Sequence, residues 1–179
     1  MNIALFGGSF DPPHLGHLEV VHAALAVLNI DKLFVVPTFV NPFKTGSHAP
    51  AELRLQWLET VFKDEENVVV SDFEVRQNRA VTSIETVLHY KDRYNKIYFI
   101  IGADNLASLE KWHRFNELNH LVTWVVATRD DQPIKSDYKQ LNVAYNISST
   151  ELREHANQEH LPKVVADEIK TYYEETHAR

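Results

Sequence analysis

The chain predicts an α/β fold: a doubly wound parallel sheet with helices on both faces, in a single domain. Three observations carry that expectation. Short apolar runs such as Ile3-Ala4-Leu5-Phe6, Leu33-Phe34-Val35-Val36 and Ile97-Tyr98-Phe99-Ile100-Ile101 alternate with segments whose apolar residues recur every three or four positions. Alternation of strand and helix is the pattern of a parallel sheet wound by crossover helices. At 179 residues and 44% hydrophobic composition, the chain fills one core of ordinary size.

The elements follow in order. Ile3–Phe6 is the first strand, and Leu18, Val21, Leu25 and Leu28 mark the buried face of the helix after it. Between them lies Gly7-Gly8-Ser9-Phe10-Asp11-Pro12-Pro13-His14-Leu15-Gly16-His17, with prolines that stiffen the entry into the helix. Lys32–Pro37 gives the second strand, and the polar, proline-broken loop Asn41–His48 follows it. Leu53, Trp57, Leu58 and Val61 stripe a second helix, and Val68–Val70 is a third strand. Thr82 caps a helix over Ser83–Tyr90, because Glu85 three residues later completes a capping box.

The Ile97 strand runs into Gly102-Ala103-Asp104-Asn105, a second strand-to-helix junction. Short helical pieces through Leu109 and Leu118 flank Lys111-Trp112-His113-Arg114, and Leu121–Ala127 is expected as a strand ending at Thr128-Arg129. Asp130–Leu141 reads as a polar surface loop, and Val143–Ile147 as an extended segment leading into Ser148-Ser149-Thr150 and a short helix. Pro162 is expected in the first turn of a terminal helix that buries Val165, Ile169 and Tyr172. This gives one domain over residues 1–179, with a helical tail at about 148–175.

Composition bounds the function. A net charge of -7 argues against a nucleic-acid coat, which needs a basic face. The absence of cysteine excludes thiolate metal sites, disulfides and a cysteine nucleophile. With no long apolar run and no basic leader, the expected location is cytoplasmic, with no membrane partner.

The polar residues gather at strand ends, where open parallel sheets bind ligands. Glycines after the first strand let backbone approach a ligand, and the helix N-terminus, equivalent to about half a positive charge, favours an anion. His14 and His17, three apart, share a face of the first helical turn. Two imidazoles, helix N-termini, the cation Lys44 and the carboxylate Asp104 together describe a nucleotide site. Neither a Walker lysine loop nor a G-x-G-x-x-G fingerprint is present.

Gly7–Asp11 with His14-x-Gly16-His17, and Ile147-Ser148-Ser149-Thr150 with Arg153, resemble the two signatures of the H-x-G-H nucleotidyltransferase superfamily. Its sheet is Rossmann-like. The Gly102-Ala103-Asp104 junction, Lys111-Trp112-His113 and the tail from Pro162 to Tyr173 narrow the resemblance to the bacterial nicotinate-mononucleotide adenylyltransferases, across nearly the whole chain. The resemblance implies transfer of AMP from ATP to nicotinate mononucleotide, giving deamido-NAD and pyrophosphate in NAD biosynthesis, with Mg2+ and without a covalent intermediate.

The resemblance also implies roles. His14, His17 and Arg153 would be catalytic. Gly7, Gly8, Ser9, Phe10, Gly16, Gly102, Asp104, Ile147, Ser149 and Thr150 would bind ATP. Lys44, Thr82, Trp112, His113 and Arg129 would bind the mononucleotide, with Trp112 stacking on the pyridine ring and the amides at Thr82 and His113 receiving its carboxylate. No protein metal site is implied, and a homo-oligomer is left open. Two departures stand out: Asn41-Pro42-Phe43-Lys44 replaces a proline-proline-histidine run, and Asp130-Asp131 follows Arg129 where the family carries proline and glycine.

Other readings stay open on the residues alone. The histidines could begin a helix or share a zinc ion, the serines and Asp104 could be caps, and Trp112 could be core. Trp57, Trp124 and the tail tyrosines are assigned to packing. Nicotinamide-mononucleotide and phosphopantetheine adenylyltransferases are the nearest alternative functions, and a nucleotide-binding module without turnover is the alternative of another class.

Overall fold

The computed structural model describes residues 1–40, 49–129, 134, 137–144, 147–155 and 157–178. Its sheet has six strands, all paired parallel: β1 (Asn2–Gly8), β2 (Lys32–Pro37), β3 (Val68–Val70), β4 (Lys96–Gly102), β5 (Thr123–Arg129) and β6 (Lys139–Val143), in the order β3-β2-β1-β4-β5-β6. The chain winds outward from β1 to β3, then returns to the centre and winds the other way from β4. The reversal falls between β1 and β4, which is where such sheets open a crevice for a ligand.

Helices cover both faces. These are α1 (Leu15–Val27), α2 (Ala51–Phe62), α3 (Phe73–Arg76), α4 (Ser83–Lys91), α5 (Phe115–Leu121), α6 (Ser149–His155) and α7 (Ala166–His177), with a 3-10 helix at Ala103–Lys111. Side-chain alternation along the strands assigns each face. Ala4, Phe6, Leu33, Val35, Tyr98 and Ile100 pack against Val20, Val21 and Ala24 of α1 and Leu58 and Phe62 of α2. Ile3, Leu5, Phe34, Val36, Phe99 and Ile101 pack against Ile84 and Val87 of α4, Leu118 of α5 and Leu109. Because the central residues of β1, β2 and β4 are buried on one face or the other, these strands read as apolar runs.

A third cluster lies outside α2. Trp57, Ile147, Leu152, Leu161, Val165, Ile169 and Tyr173 pack together there, so α6 and α7 are held against the back of α2.

Three expectations need correction, and one short helix has no counterpart in them. Leu121 ends α5, and the strand after it starts at Thr123. β6 occupies Lys139–Val143, where a polar loop was expected through Leu141; only Leu141 and Val143 of this strand are buried, so its polar half concealed it. α3 is one turn, too short to show a period. The terminal helix starts at Ala166; Pro162 lies in the turn before it, and Tyr173 rather than Tyr172 takes the buried position four residues after Ile169.

One acid interrupts the apolar pattern. Glu74 of α3 is buried and accepts a hydrogen bond from the Thr86 hydroxyl of α4 at 2.5 Å. Burial pushes its carboxyl up to about 7, the Thr86 bond opposes that shift, and the Glu85 charge adds to it. A carboxyl that holds its proton more tightly folded than unfolded stabilises the fold at acid pH. That contribution is lost as pH rises from 4.5 towards about 7. Between about pH 5.5 and pH 8, wild type should lose about 2 kcal/mol relative to Glu74→Gln, which keeps the shape without the titration. Urea unfolding of both proteins at the two pH values measures this, and parallel changes would assign the titration to another group.

Candidate active site

The site is built on the turn between β1 and α1. Gly8 ends β1, and a Cβ there would stand 3.3 Å from the Phe10 ring, so a side chain would press on that ring unless it gave by a few tenths of an ångström. Phe10 takes the left-handed conformation, φ 48°, which an aromatic residue adopts at a cost on the order of 1 kcal/mol or more. Burial of its ring between Phe6 at 5.4 Å and His17 at 4.8 Å holds it there. A cis peptide joins Asp11 to Pro12.

His14 is the N-cap of α1 and His17 is its third residue. The two imidazoles are stacked, centroids 3.6 Å apart and planes 20° from parallel. The backbone N–H of His14 donates to His17 Nδ1 at 3.0 Å. A nitrogen that accepts that bond carries no proton, so the proton of His17 sits on Nε2. The capping box therefore does more than end the helix: it fixes the tautomer and the ring plane of His17. His14 is 2% exposed and backs this ring, while His17 is half-buried. Of the pair, expected to share one cleft, His17 is the more exposed.

The late serine-threonine segment closes on the same turn. Ser148 caps α6 by exchanging bonds with Glu151, as a cap reading anticipates. Its neighbours act differently. The Ser149 hydroxyl donates to the Pro12 carbonyl at 3.1 Å, and Arg153 donates to the Asp11 carbonyl at 2.7 Å and to Thr150 Oγ1 at 3.1 Å. His177 of α7 in turn meets the Arg153 carbonyl at 2.7 Å. Ile147 is buried in the third cluster, so its role is to anchor the segment.

Behind the turn lies a buried polar group that sequence reasoning missed. Asp11 is 3% exposed; its Oδ1 accepts the Ala49 N–H at 3.0 Å and the hydroxyl of Tyr173. Arg54 has no exposed surface and donates to three carbonyls: Ser9 at 2.6 Å, Phe39 at 2.9 Å and Ala49 at 3.0 Å. Burial pulls the Arg54 guanidinium down, and the Asp11 charge opposes that shift. Burial pushes the Tyr173 phenol up, and Asp11 adds to it, so this hydroxyl stays a donor. A signal for Arg54 was present, since it lies three and four residues before Trp57 and Leu58 on the apolar stripe of α2. Tyr173 packs in the third cluster as assigned but adds a polar bond to Asp11, and Trp124, also assigned to packing, donates to Asn119 Oδ1 at 2.9 Å.

On the other side of the reversal, Gly102 ends β4 and caps the 3-10 helix that carries Asp104. A Cβ on Gly102 would stand 2.6 Å from Asp104 Oδ1, so glycine lets the exposed carboxylate fold back over the strand end. Trp112 closes that helix, partly exposed and edge-on to Phe99 at 6.3 Å and Trp124 at 6.0 Å, with exposed His113 next to it. At Thr82 the structure departs from expectation. The Thr82 N–H already donates to Glu85 Oε2 at 2.9 Å, and the first-turn N–H groups of Ser83 and Ile84 remain as donors at that helix end. Gly7 lies in β1 and Gly16 is buried in α1. The backbone of Arg129 ends β5 opposite Val143. Lys44 lies outside the described residues.

The arrangement can hold an anion beside one oriented imidazole N–H, at the reversal between β1 and β4, with a carboxylate and an aromatic ring on the β4 side. Among the described residues, no group of three or more His, Asp or Glu is placed to hold a metal ion.

Comparison with known proteins bears on this geometry. The sequence profile described as cytidylyltransferase-like matches residues 5–155. A protein of Sulfurimonas denitrificans named "Probable nicotinate-nucleotide adenylyltransferase" is 52% identical over 177 residues, covering 99% of this chain and 97% of its own. One of the same name from Campylobacter fetus is 49% identical over 181 residues, covering both chains fully. A Plasmodium falciparum nicotinic acid mononucleotide adenylyltransferase, solved with NaAD, superposes with a TM-score of 0.76 over 97% of each chain at 20% identity, a likeness of fold. By these full-length matches the chain belongs to the cytidylyltransferase-like proteins and, within them, to the nicotinate-nucleotide adenylyltransferase family.

Proposed function

We propose that this chain transfers AMP from ATP to nicotinate mononucleotide. A phosphate oxygen of the mononucleotide attacks the α-phosphorus of ATP in line, the bond to the bridging oxygen of the β-phosphate breaks, and pyrophosphate leaves with that electron pair. The acceptor phosphate is already anionic at neutral pH, so no general base is needed. What remains is to position two anions and to stabilise charge on the oxygens in flight.

The observation that carries this reading is the fixed tautomer of His17, whose Nε2–H is oriented without reorganisation. Arg153, held on the Asp11 carbonyl and Thr150, supplies positive charge at the same turn. Asp104 suits the ribose hydroxyls, and the start of α4 suits the nicotinate carboxylate through the Ser83 and Ile84 amides. Magnesium would neutralise the ATP phosphates and be held by their oxygens. Among the described residues no helix is long and apolar enough to cross a membrane; we place the activity in the cytoplasm.

Pyrophosphate release with ATP and magnesium tests the reading, with nicotinate mononucleotide, its amide and phosphopantetheine as acceptors. The acid form should support turnover best. Release with none of them, while ATP still binds, would make the chain a nucleotide-binding module.

Trp112 tests the acceptor side. Its edge-on packing against Phe99 and Trp124 fixes the plane of a partly exposed indole, the geometry of a stacking platform. Trp112→Ala should raise KM for the mononucleotide by roughly tenfold, within the 1–3 kcal/mol that one stacked base contributes, and leave KM for ATP within about twofold. An unchanged mononucleotide KM would return Trp112 to the core.

A further inference from the structure

The Ser9–Pro12 turn is tied from four directions. Arg54 of α2 holds the Ser9 carbonyl, Arg153 of α6 the Asp11 carbonyl, Ser149 the Pro12 carbonyl, and Tyr173 of α7, together with the Ala49 N–H, the Asp11 carboxylate. Pro12 and Pro13 have no N–H, so the part of this turn next to His14 has no backbone donor of its own. Its shape is imposed by helices distant in sequence, across a strained Phe10. Directly after it comes the His14 N–H that fixes His17.

We propose that Arg54 and Tyr173 are positioning residues for adenylyl transfer: through Ser9 and Asp11 they set the turn that aims the His14 N–H at His17 Nδ1. This rests on the adenylyltransferase reading above. Neither side chain is placed to meet a nucleotide, since both are buried behind the turn. Arg54 suits the task because its planar fork sends three N–H groups to three separate carbonyls, which one lysine ammonium cannot reproduce. Tyr173 suits it because its hydroxyl reaches the carboxylate from the far helix, coupling α7 to the histidine turn.

Tyr173→Phe keeps the ring in its apolar cluster and removes only the donor. Its kcat for pyrophosphate release should fall about tenfold, with KM for ATP and for nicotinate mononucleotide each within about twofold of wild type. Arg54→Lys should act in the same direction. Imidazole nitrogen NMR gives a readout that a purely structural role would not move. Wild-type His17 should show a protonated Nε2 and an unprotonated Nδ1, and in Tyr173→Phe the two shifts should move towards an average of tautomers.

Wild-type kcat in Tyr173→Phe below its melting temperature overturns the proposal, as does a change confined to KM. Unchanged His17 shifts overturn it whatever turnover does. If the wild type releases no pyrophosphate with any acceptor, the adenylyltransferase reading fails on its own, and the His17 shifts in Tyr173→Phe still decide whether Tyr173 sets that ring.

Discussion

His17→Ala should lower kcat for pyrophosphate release by roughly a hundred- to a thousandfold, about 3–4 kcal/mol of transition-state stabilisation, the cost of removing one preorganised donor from a developing oxyanion. Mononucleotide affinity, measured by calorimetry, should change only a few-fold, because an interaction made chiefly in the transition state contributes little to ground-state binding. The structure gives the effect its direction. His17 Nδ1 is taken by the His14 N–H, so the only ring proton points from Nε2. His17→Gln keeps both halves in a looser form, since its amide oxygen can accept the His14 N–H as in a capping box while its NH2 offers a donor that no ring plane holds in place. An intermediate kcat is expected for it. Near-normal turnover in His17→Ala would remove His17 from the mechanism.

The site was legible where chemistry shows in residue type and spacing, and illegible where it depends on what the chain folds against. The glycine turn, the paired histidines and the capping box at Thr82 are local patterns, and each lies where its spacing placed it. The same holds for β1, β2 and β4, whose central residues are apolar and buried on both faces. β6 was missed because only Leu141 and Val143 of its five residues are apolar and buried. Ser149 and Arg153 were picked out by their motif, yet their hydrogen bonds in this structure go to the Pro12 and Asp11 carbonyls, 137 and 142 residues away in sequence. Arg54 and Tyr173 look like a solvated helix charge and a packing aromatic until the third cluster brings α2 and α7 together behind the turn. Nothing local marks a buried guanidinium; only its place on an apolar stripe does.

Asp11→Ala should be the most destabilising single change in the site. Asp11 is the carboxylate beside a guanidinium with no exposed surface, and it is the acceptor for the Ala49 N–H and the Tyr173 hydroxyl. Truncation would leave a buried charge without its counter-charge and two donors without an acceptor. Breaking one side of such a buried pair costs about 3–5 kcal/mol, a large share of a typical stability of about 5–15 kcal/mol. For a domain of this size that lowers Tm by roughly 10–15 °C. Asp11→Asn distinguishes the two parts of the cost, because the amide oxygen can still accept both bonds while the charge is gone. Its loss should fall between wild type and Asp11→Ala. Adding Arg54→Met to Asp11→Ala removes the stranded cation, so the double variant should be less destabilised than the sum of the two single changes. Urea unfolding of the four proteins measures that coupling, and strict additivity would show that Arg54 is held by its three carbonyls alone.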